Sequence, residues 1–276
     1  MKPSRMLPLH KIPTHICQNL VYFFMDIDDT FTSNGKITAE AYQALWDLHT
    51  CGVKVVPVTG RPAGWCDMIA RFWPVEAVIG ENGAFYFSYQ NQTKTMIRKH
   101  FQTESDRLKG KFLLNILQDR VLKEIPGCAI SVDQPFRIAD LAIDYCEDVP
   151  ALSQESVEHI CAIAKSLGLN YKISSIHVNC WYGNHDKLSC LKNFLQDFAG
   201  ESMERLQQKI MFVGDSPNDE PLFSALDHSI AVANIHEFLP QMIHHPTYIA
   251  EKYSGDGFQE IVHHILKKRF NSEVFV

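Results

Sequence analysis

The sequence has no CxxC pair, no uncharged apolar run of the ~20 residues that a membrane-spanning helix requires, no excess of basic residues, and no repeat or low-complexity tract. Each absence removes a class of function. Eight cysteines stand singly at 17, 51, 66, 128, 146, 161, 180 and 190, mostly inside apolar runs such as His159-Ile160-Cys161-Ala162. They read as buried, reduced thiols, not as a disulfide framework or the closely spaced ligands of a structural zinc site. A formal net charge of −6 offers no footprint for a nucleic-acid backbone. Pro3, Pro8 and Pro13 interrupt the first twenty residues before a signal-like apolar stretch can develop. The expectation is a soluble, cytoplasmic protein with no membrane and no nucleic-acid partner, either a monomer or a homodimer.

What is present is an ordinary globular composition, 46% hydrophobic and 21% charged over 276 residues, long enough for two unequal domains. Residues 20–27 form a short, nearly unbroken apolar run that ends in acidic side chains, the pattern of a buried strand. After Thr38, apolar Tyr42, Leu45, Trp46 and Leu48 recur at helical spacing until Gly52. A second β-branched run covers 53–58, a helix 63–72 and a third strand 77–79. Towards the other end, helical patterns at 188–198 and 220–225 alternate with strands at 209–213 and 229–232. This alternation predicts an α/β fold, a Rossmann-like doubly wound parallel sheet with right-handed crossovers. Between the two halves the texture changes, and strands at 139–145 and 174–181 flank a helix at 153–167 that stops at Gly168. We read residues 1–87 and 183–276 as one core and residues 88–182 as an inserted α/β cap domain. The histidine pairs 244/245 and 263/264 read as surface residues.

In an open parallel sheet, ligands bind beyond the carboxyl ends of the strands. Four strand ends carry polar groups there: Asp26, Asp28 and Asp29; Thr59, Gly60 and Arg61; Glu81 and Asn82; Asp215, Asn218 and Asp219. Carboxylates crowded at the tip of an apolar strand repel one another unless a cation neutralises them, and a hard divalent ion such as Mg2+ suits their oxygens. Asp26 and Asp215 are the first candidates for that ion. By strand alternation Asp26 and Asp28 share a side, with Ile27 turned into packing. One carboxylate could then attack phosphorus while the other manages the proton of the leaving group. Taken alone, the same residues could instead form a solvated strand end that caps its turn, the less favoured reading.

The run Asp26-Ile27-Asp28-Asp29-Thr30 resembles the first motif, DxDxT, of the haloacid dehalogenase superfamily. Thr59-Gly60-Arg61 resembles its second motif, Lys187 ahead of a helix its third, and Gly214-Asp215-Ser216-Pro217-Asn218-Asp219 the GDSxND form of its fourth. Glu81-Asn82-Gly83-Ala84 is similar to the subclass IIB, Cof-type members, in which an α/β cap is inserted between the second and third motifs. Sucrose phosphatases and mannosyl-3-phosphoglycerate phosphatases are of this type. The resemblance spans the whole core and implies a Mg2+-dependent phosphatase. Asp26 would be nucleophile and metal ligand, Asp28 the acid and base with its backbone carbonyl on the metal, and Asp215 and Asp219 further metal ligands. Thr59, the Gly60 backbone, Lys187 and Asn218 would hold the phosphoryl oxygens, with Asn82 beside them. From its place at the border of core and cap, Arg61 could contact an anionic part of the substrate or equally be a surface hinge residue. Asp29 stands where many relatives have glycine, adding negative charge and making a metal more necessary.

Selectivity is expected from the cap closing over the site. His177, Asn179 and Trp181 share one face of their strand and could grip a sugar; Arg137, Asp140 and Asp144 are further candidates. The expected substrate is a small-molecule phosphate ester, a sugar phosphate or phosphorylated sugar acid, cleaved through an aspartyl phosphate. Two other classes stay open. One is a phosphotransferase or phosphomutase that passes the phosphoryl group to a sugar hydroxyl. The other is a non-catalytic phosphosugar-binding protein, disfavoured because both Asp26 and Asp28 are retained.

Overall fold

All four residues of Tyr22–Met25 are buried, and neighbours along the strand enter different cores. Phe23 and Met25 face one helical layer while Tyr22 and Phe24 face the other, as a period of two requires of a strand covered on both sides. The computed structural model in which this is seen describes residues 6–174 and 176–271. Pro3, and Ser175 within the strand expected at 174–181, lie outside the described residues.

In chain order the strands are β1 (Leu7–Pro8), β2 (Tyr22–Met25), β3 (Lys54–Pro57), β4 (Val78–Gly80), β5 (Phe85–Gln90), β6 (Thr95–His100), β7 (Ala129–Ile130), β8 (Asp140–Asp144), β9 (Asn170–Ile173), β10 (His177–Trp181), β11 (Ile210–Gly214), β12 (Ser229–Ala231) and β13 (Tyr248–Ile249). The α-helices are α1 (Thr14–Asn19), α2 (Ala39–Thr50), α3 (Ala63–Phe72), α4 (Glu104–Glu124), α5 (Gln154–Ser166), α6 (Lys187–Ala199), α7 (Met203–Leu206), α8 (Glu220–Ala225) and α9 (Ser254–Phe270).

The strands β1, β13, β12, β11, β2 and β3 form one parallel sheet in that order. Helices α1, α2 and α9 cover the face that holds Phe23, Val55 and Val213. Helices α6 and α8 cover the other, around Phe194, Phe212 and Phe223. Phe23 meets Phe258 edge to face at 6.1 Å between ring centres, and Tyr22 meets Phe194 likewise at 6.1 Å. Truncating one such ring to alanine costs about 3–5 kcal/mol, so the strands are held firmly at their centres and their ends are fixed in space.

The neighbours β11, β2 and β3 bring three carboxyl ends side by side. A parallel bridge between Val58 and Ile79 adds the end of β4 to the row. Strand β4 also pairs antiparallel with β5, and β5 with β6. Phe85 and Phe87 of that hairpin pack on Ala63, Cys66 and Ile69 of α3. The boundary expected between residues 87 and 88 thus falls inside β5. The inserted cap region is a separate antiparallel sheet, ordered β7, β8, β10, β9, with α4 and α5 packed against it.

The eight cysteines are free thiols, five of them buried. Among the described residues no helix is long and apolar enough to cross a membrane. His244 and His245 are exposed, whereas His263 and His264 are half-buried on α9.

Candidate active site

Regular pairing of β2 ends at Met25. The following residue, Asp26, keeps one further backbone bond, from its N–H to Val213 O at 2.9 Å. Its carboxylate is buried. Oδ1 accepts from the Ile27 amide at 2.8 Å, and Oδ2 accepts from Lys187 Nζ at 2.9 Å. The same ammonium donates to Asp219 Oδ1 at 2.7 Å and to Asn218 Oδ1 at 3.2 Å. Lys187 opens α6, where Asp186 and Ser189 close a capping box over the first turn. This anchors the lysine backbone, and the surrounding carboxylates are what make its burial tolerable.

Asp215 follows the end of β11. Its Oδ1 accepts from Thr30 Oγ1 at 2.7 Å, and its amide donates to Asp219 Oδ2 at 3.1 Å. Glycine precedes it because a Cβ on Gly214 would strike the Asp219 carboxylate. Asp26, Asp215 and Asp219 each place one buried carboxylate oxygen within 4.8 Å of the others. One ammonium cannot balance three carboxylates. Burial pushes the Asp26 carboxyl up to about 7, with Asp219 and Asp28 adding to the rise and Lys187 opposing it. Asp215 is also pushed well above the usual carboxylate range, by burial and then by Asp219 and Asp26. Burial pulls the Lys187 ammonium down, but Asp219 and Asp26 more than offset this, so it stays charged. An oxygen-only cluster short of positive charge suits a hard divalent cation.

Asp28 departs from the expected alternation. The chain turns at residues 28–30 and Asp29 adopts a left-handed φ of 55°, a conformation that glycine takes freely and Asp takes better than most. The Asp28 carboxylate therefore swings to Arg61. Arg61 Nε lies 3.0 Å from both of its oxygens and a terminal nitrogen 2.7 Å from Oδ1. The guanidinium also sits 4.5 Å over the Trp65 ring. Asp28 is thus outside the three-carboxylate cluster, yet near enough to raise Asp26.

The second and third strand ends converge as expected. Thr59 is buried and its Oγ1 accepts from the Arg61 amide at 3.0 Å. The Asn82 amide donates to Thr59 O at 3.1 Å. The Asn82 side chain covers Gly60 so closely that an added Cβ would lie 3.2 Å from its Oδ1. Glu81 and Asn82 both hold left-handed φ values, 43° and 55°, a strained pair of the kind found at ligand sites.

The cap residues divide. His177 Nε2 lies 2.8 Å from Glu147 Oε2, and Asn179 Nδ2 donates to Asp140 Oδ2 at 3.1 Å. Neither lines the cavity between cap and core, whereas Trp181 does. Asp144 spends its carboxylate on the amides of residues 146–148. Arg137 is buried between Asp133 at 2.7 Å and Asp140 at 3.0 Å, and it donates to the Gly60 carbonyl at 3.2 Å. Glu81 stands at a strand end, as the sequence indicates, but it ties cap to core. Its buried carboxylate accepts from the Ala63 amide of the core and from the Ile138, Ala139 and Asp140 amides of the cap. Burial and the nearby Asp140 push it up to about 8, against those donors. Lys172 and His185, which also face the cavity, left no mark in the sequence pattern.

The family model for haloacid dehalogenase-like hydrolases matches residues 23–119 and 183–261, which include every strand end of the site. The chain belongs to this family. The hydrolase is 24% identical over 256 residues to a phosphoglycolate phosphatase of Methanobrevibacter smithii, covering 88% of this chain and 97% of that one. It is 25% identical over 251 residues to phosphoglycolate phosphatase 1 of Saccharolobus solfataricus, covering 90% and 96%. Among solved structures, the Thermoplasma acidophilum protein 0175 shares its fold with a TM-score of 0.68 at 18% identity, over 90% of this chain and 98% of that one. A subclass IIB sugar phosphatase aligns with a TM-score of 0.59 at 14% identity, over 91% and 99%. The family match thus makes the chain a haloacid dehalogenase-like hydrolase, and the solved structures share its fold.

Proposed function

We propose that this hydrolase is a Mg2+-dependent phosphatase that cleaves a small phosphorylated sugar or sugar acid through an aspartyl phosphate on Asp26. The observation that carries this reading is the buried Asp26 carboxylate, held by Lys187 beside two more carboxylates. Asp26, Asp215 and Asp219, with the Asp28 carbonyl, would hold Mg2+. The ion would screen the charge between an anionic nucleophile and an anionic ester.

The protein's own groups supply the rest. Asp26 is fixed in rotamer by the Ile27 amide and Lys187, so its attacking oxygen is positioned in advance. Lys187, Thr59, the Gly60 amide and Asn218 gather donors where charge spreads over the equatorial oxygens of the transferring group. Asp28 donates a proton to the leaving oxygen and later takes one from the attacking water. In this structure the fork of Arg61 holds the Asp28 carboxylate in its charged form, an ion pair that has to open before Asp28 can carry that proton. The cap, most of residues 88–182, closes over the ester and excludes bulk water. Relatives named as phosphoglycolate phosphatases favour a phosphorylated hydroxy acid over the phosphate of a neutral sugar.

Asp26→Asn is the test. Phosphate release should fall by roughly 10³-fold or more with the fold intact by circular dichroism; retained turnover would reject the mechanism. Hydrolysis in 18O-water should place the label in inorganic phosphate, whereas a phosphotransferase would pass the phosphoryl group to an organic acceptor without it.

A further inference from the structure

A cavity of about 300 Å³ lies between cap and core. Asn82, Lys187 and Asn218 border it on the core side, Lys172 and Trp181 on the cap side, and His185 on the segment between. It therefore opens directly from the groups that grip the phosphoryl oxygens, and whatever fills it is the organic part of the ester.

Lys172 stands on β9 on the same face as Asn170, two residues earlier. Its ammonium makes a single hydrogen bond, to the Pro217 carbonyl at 3.4 Å, the outer limit for such a bond. Among the described residues no carboxylate stands within ion-pair distance of it. Two of its three donors are thus unspent. Burial, followed by the like charge of Lys187, works against its protonation. A cation held in that condition on a cavity wall has a use when an anion arrives.

His185 is 8% exposed, and neither ring nitrogen has a hydrogen-bond partner. The ring lies against Trp181, 5.8 Å between centres. Burial keeps it neutral, its pKa pushed down to about 4, so it presents one donor and one acceptor. Both residues border the cavity: Lys172 brings unspent donors to it, whereas the His185 ring nitrogens are sealed from solvent within its wall.

Resting on the phosphatase reading, we propose that this cavity is the leaving-group subsite and that it selects phosphomonoesters bearing a carboxylate, seated on Lys172. A single negative charge matches a single ammonium. A second phosphate, with about two charges, would bury an excess.

The experiment compares two matched pairs of esters, 3-phosphoglycerate with glycerol 3-phosphate and 2-phosphoglycerate with glycerol 2-phosphate. Each pair differs only in a carboxylate replaced by a hydroxymethyl group. With Mg2+ present, kcat/KM should favour the acid in at least one pair by about tenfold or more. Lys172→Met should shrink that ratio by a similar factor through the KM of the acid, and Lys172→Arg should restore part of it. Three results overturn the inference while the phosphatase reading stands, given that p-nitrophenyl phosphate is hydrolysed: preference for the neutral member in both pairs, no turnover of either acid, or a ratio indifferent to Lys172→Met. No phosphate from p-nitrophenyl phosphate or any of these esters overturns the phosphatase reading, and this inference with it.

Discussion

Lys187 Nζ and Asp26 Oδ2 lie 2.9 Å apart, both side chains almost wholly buried and 161 residues apart in the chain. The pair couples the start of α6 to the end of β2, and Asp219 shares the same cation. Lys187→Met would leave three buried carboxylates with no organic counter-ion, and breaking such a pair costs about 3–5 kcal/mol. The melting temperature in EDTA should drop by several degrees, at roughly 2–4 °C per kcal/mol for a chain of this size. Mg2+ should recover part of the loss, while phosphate release stays about 10²-fold or more below wild type. Calorimetry with and without the ion checks this; a melting point blind to metal would contradict it.

Protons and metal should compete for the carboxylate cluster. In the metal-free protein, Asp26 with its pKa raised to about 7 stabilises the folded state fully below its unfolded value near 3.8, and that contribution fades as pH climbs towards 7. Asp215 shifts in the same direction. Mg2+ replaces those protons, so the rise in melting temperature on adding it should be larger at pH 8 than at pH 6. Thermal melts at the two pH values decide the matter, and an equal or reversed increment tells against the metal site.

Much of this was readable in the sequence, for a physical reason. Strands buried on both faces appear as unbroken apolar runs, which is why residues 20–27, 53–58 and 209–213 announced β2, β3 and β11 and the acidic groups at their tips. Strand β6 gave no such sign: its Thr95, Ile97, Arg98 and Lys99 are exposed, and an edge strand needs little apolar alternation. Helix α4 was obscured by Leu108 and Phe112, which face solvent while Leu114, Leu117 and Val121 are buried. The alternation carried through to Asp28 failed because the strand ends at Met25 and Arg61 offers a better partner. Lys172 and His185 acquire meaning only when β9 pairs with β10 and brings the cap against the core.

The junction of cap and core gives a third prediction. Arg137→Met would strand Asp133 and Asp140 as buried carboxylates and release the Gly60 carbonyl. We expect KM for a phosphate ester to rise several-fold and proteolysis at the junction to quicken. Glu81→Ala should be harsher, since each buried amide left without an acceptor costs about 1–3 kcal/mol. Limited proteolysis beside steady-state kinetics reads both. A variant with normal KM and normal resistance would dissociate the cap from phosphate binding.

His185 sets an acid limit. Its folded pKa of about 4 lies below the usual 6.5, so the stability it contributes is in place above pH 6.5 and is lost as pH falls through about 4. The loss approaches about 1.4 kcal/mol per pH unit for a single group. His185→Phe should therefore lose less stability than wild type between pH 7 and pH 4.5. Urea titrations at both pH values measure the difference; parallel losses would show that this imidazole titrates normally.

The Gly60 carbonyl hangs on Arg137, and Glu81 takes its remaining amides from residues 138–140. On the proposed function, substrate preference is accordingly not a detachable module. A chimaera that grafts a foreign lid onto this scaffold would inherit a slack phosphate loop unless the graft also brought its own arginine and three backbone donors to the same corner.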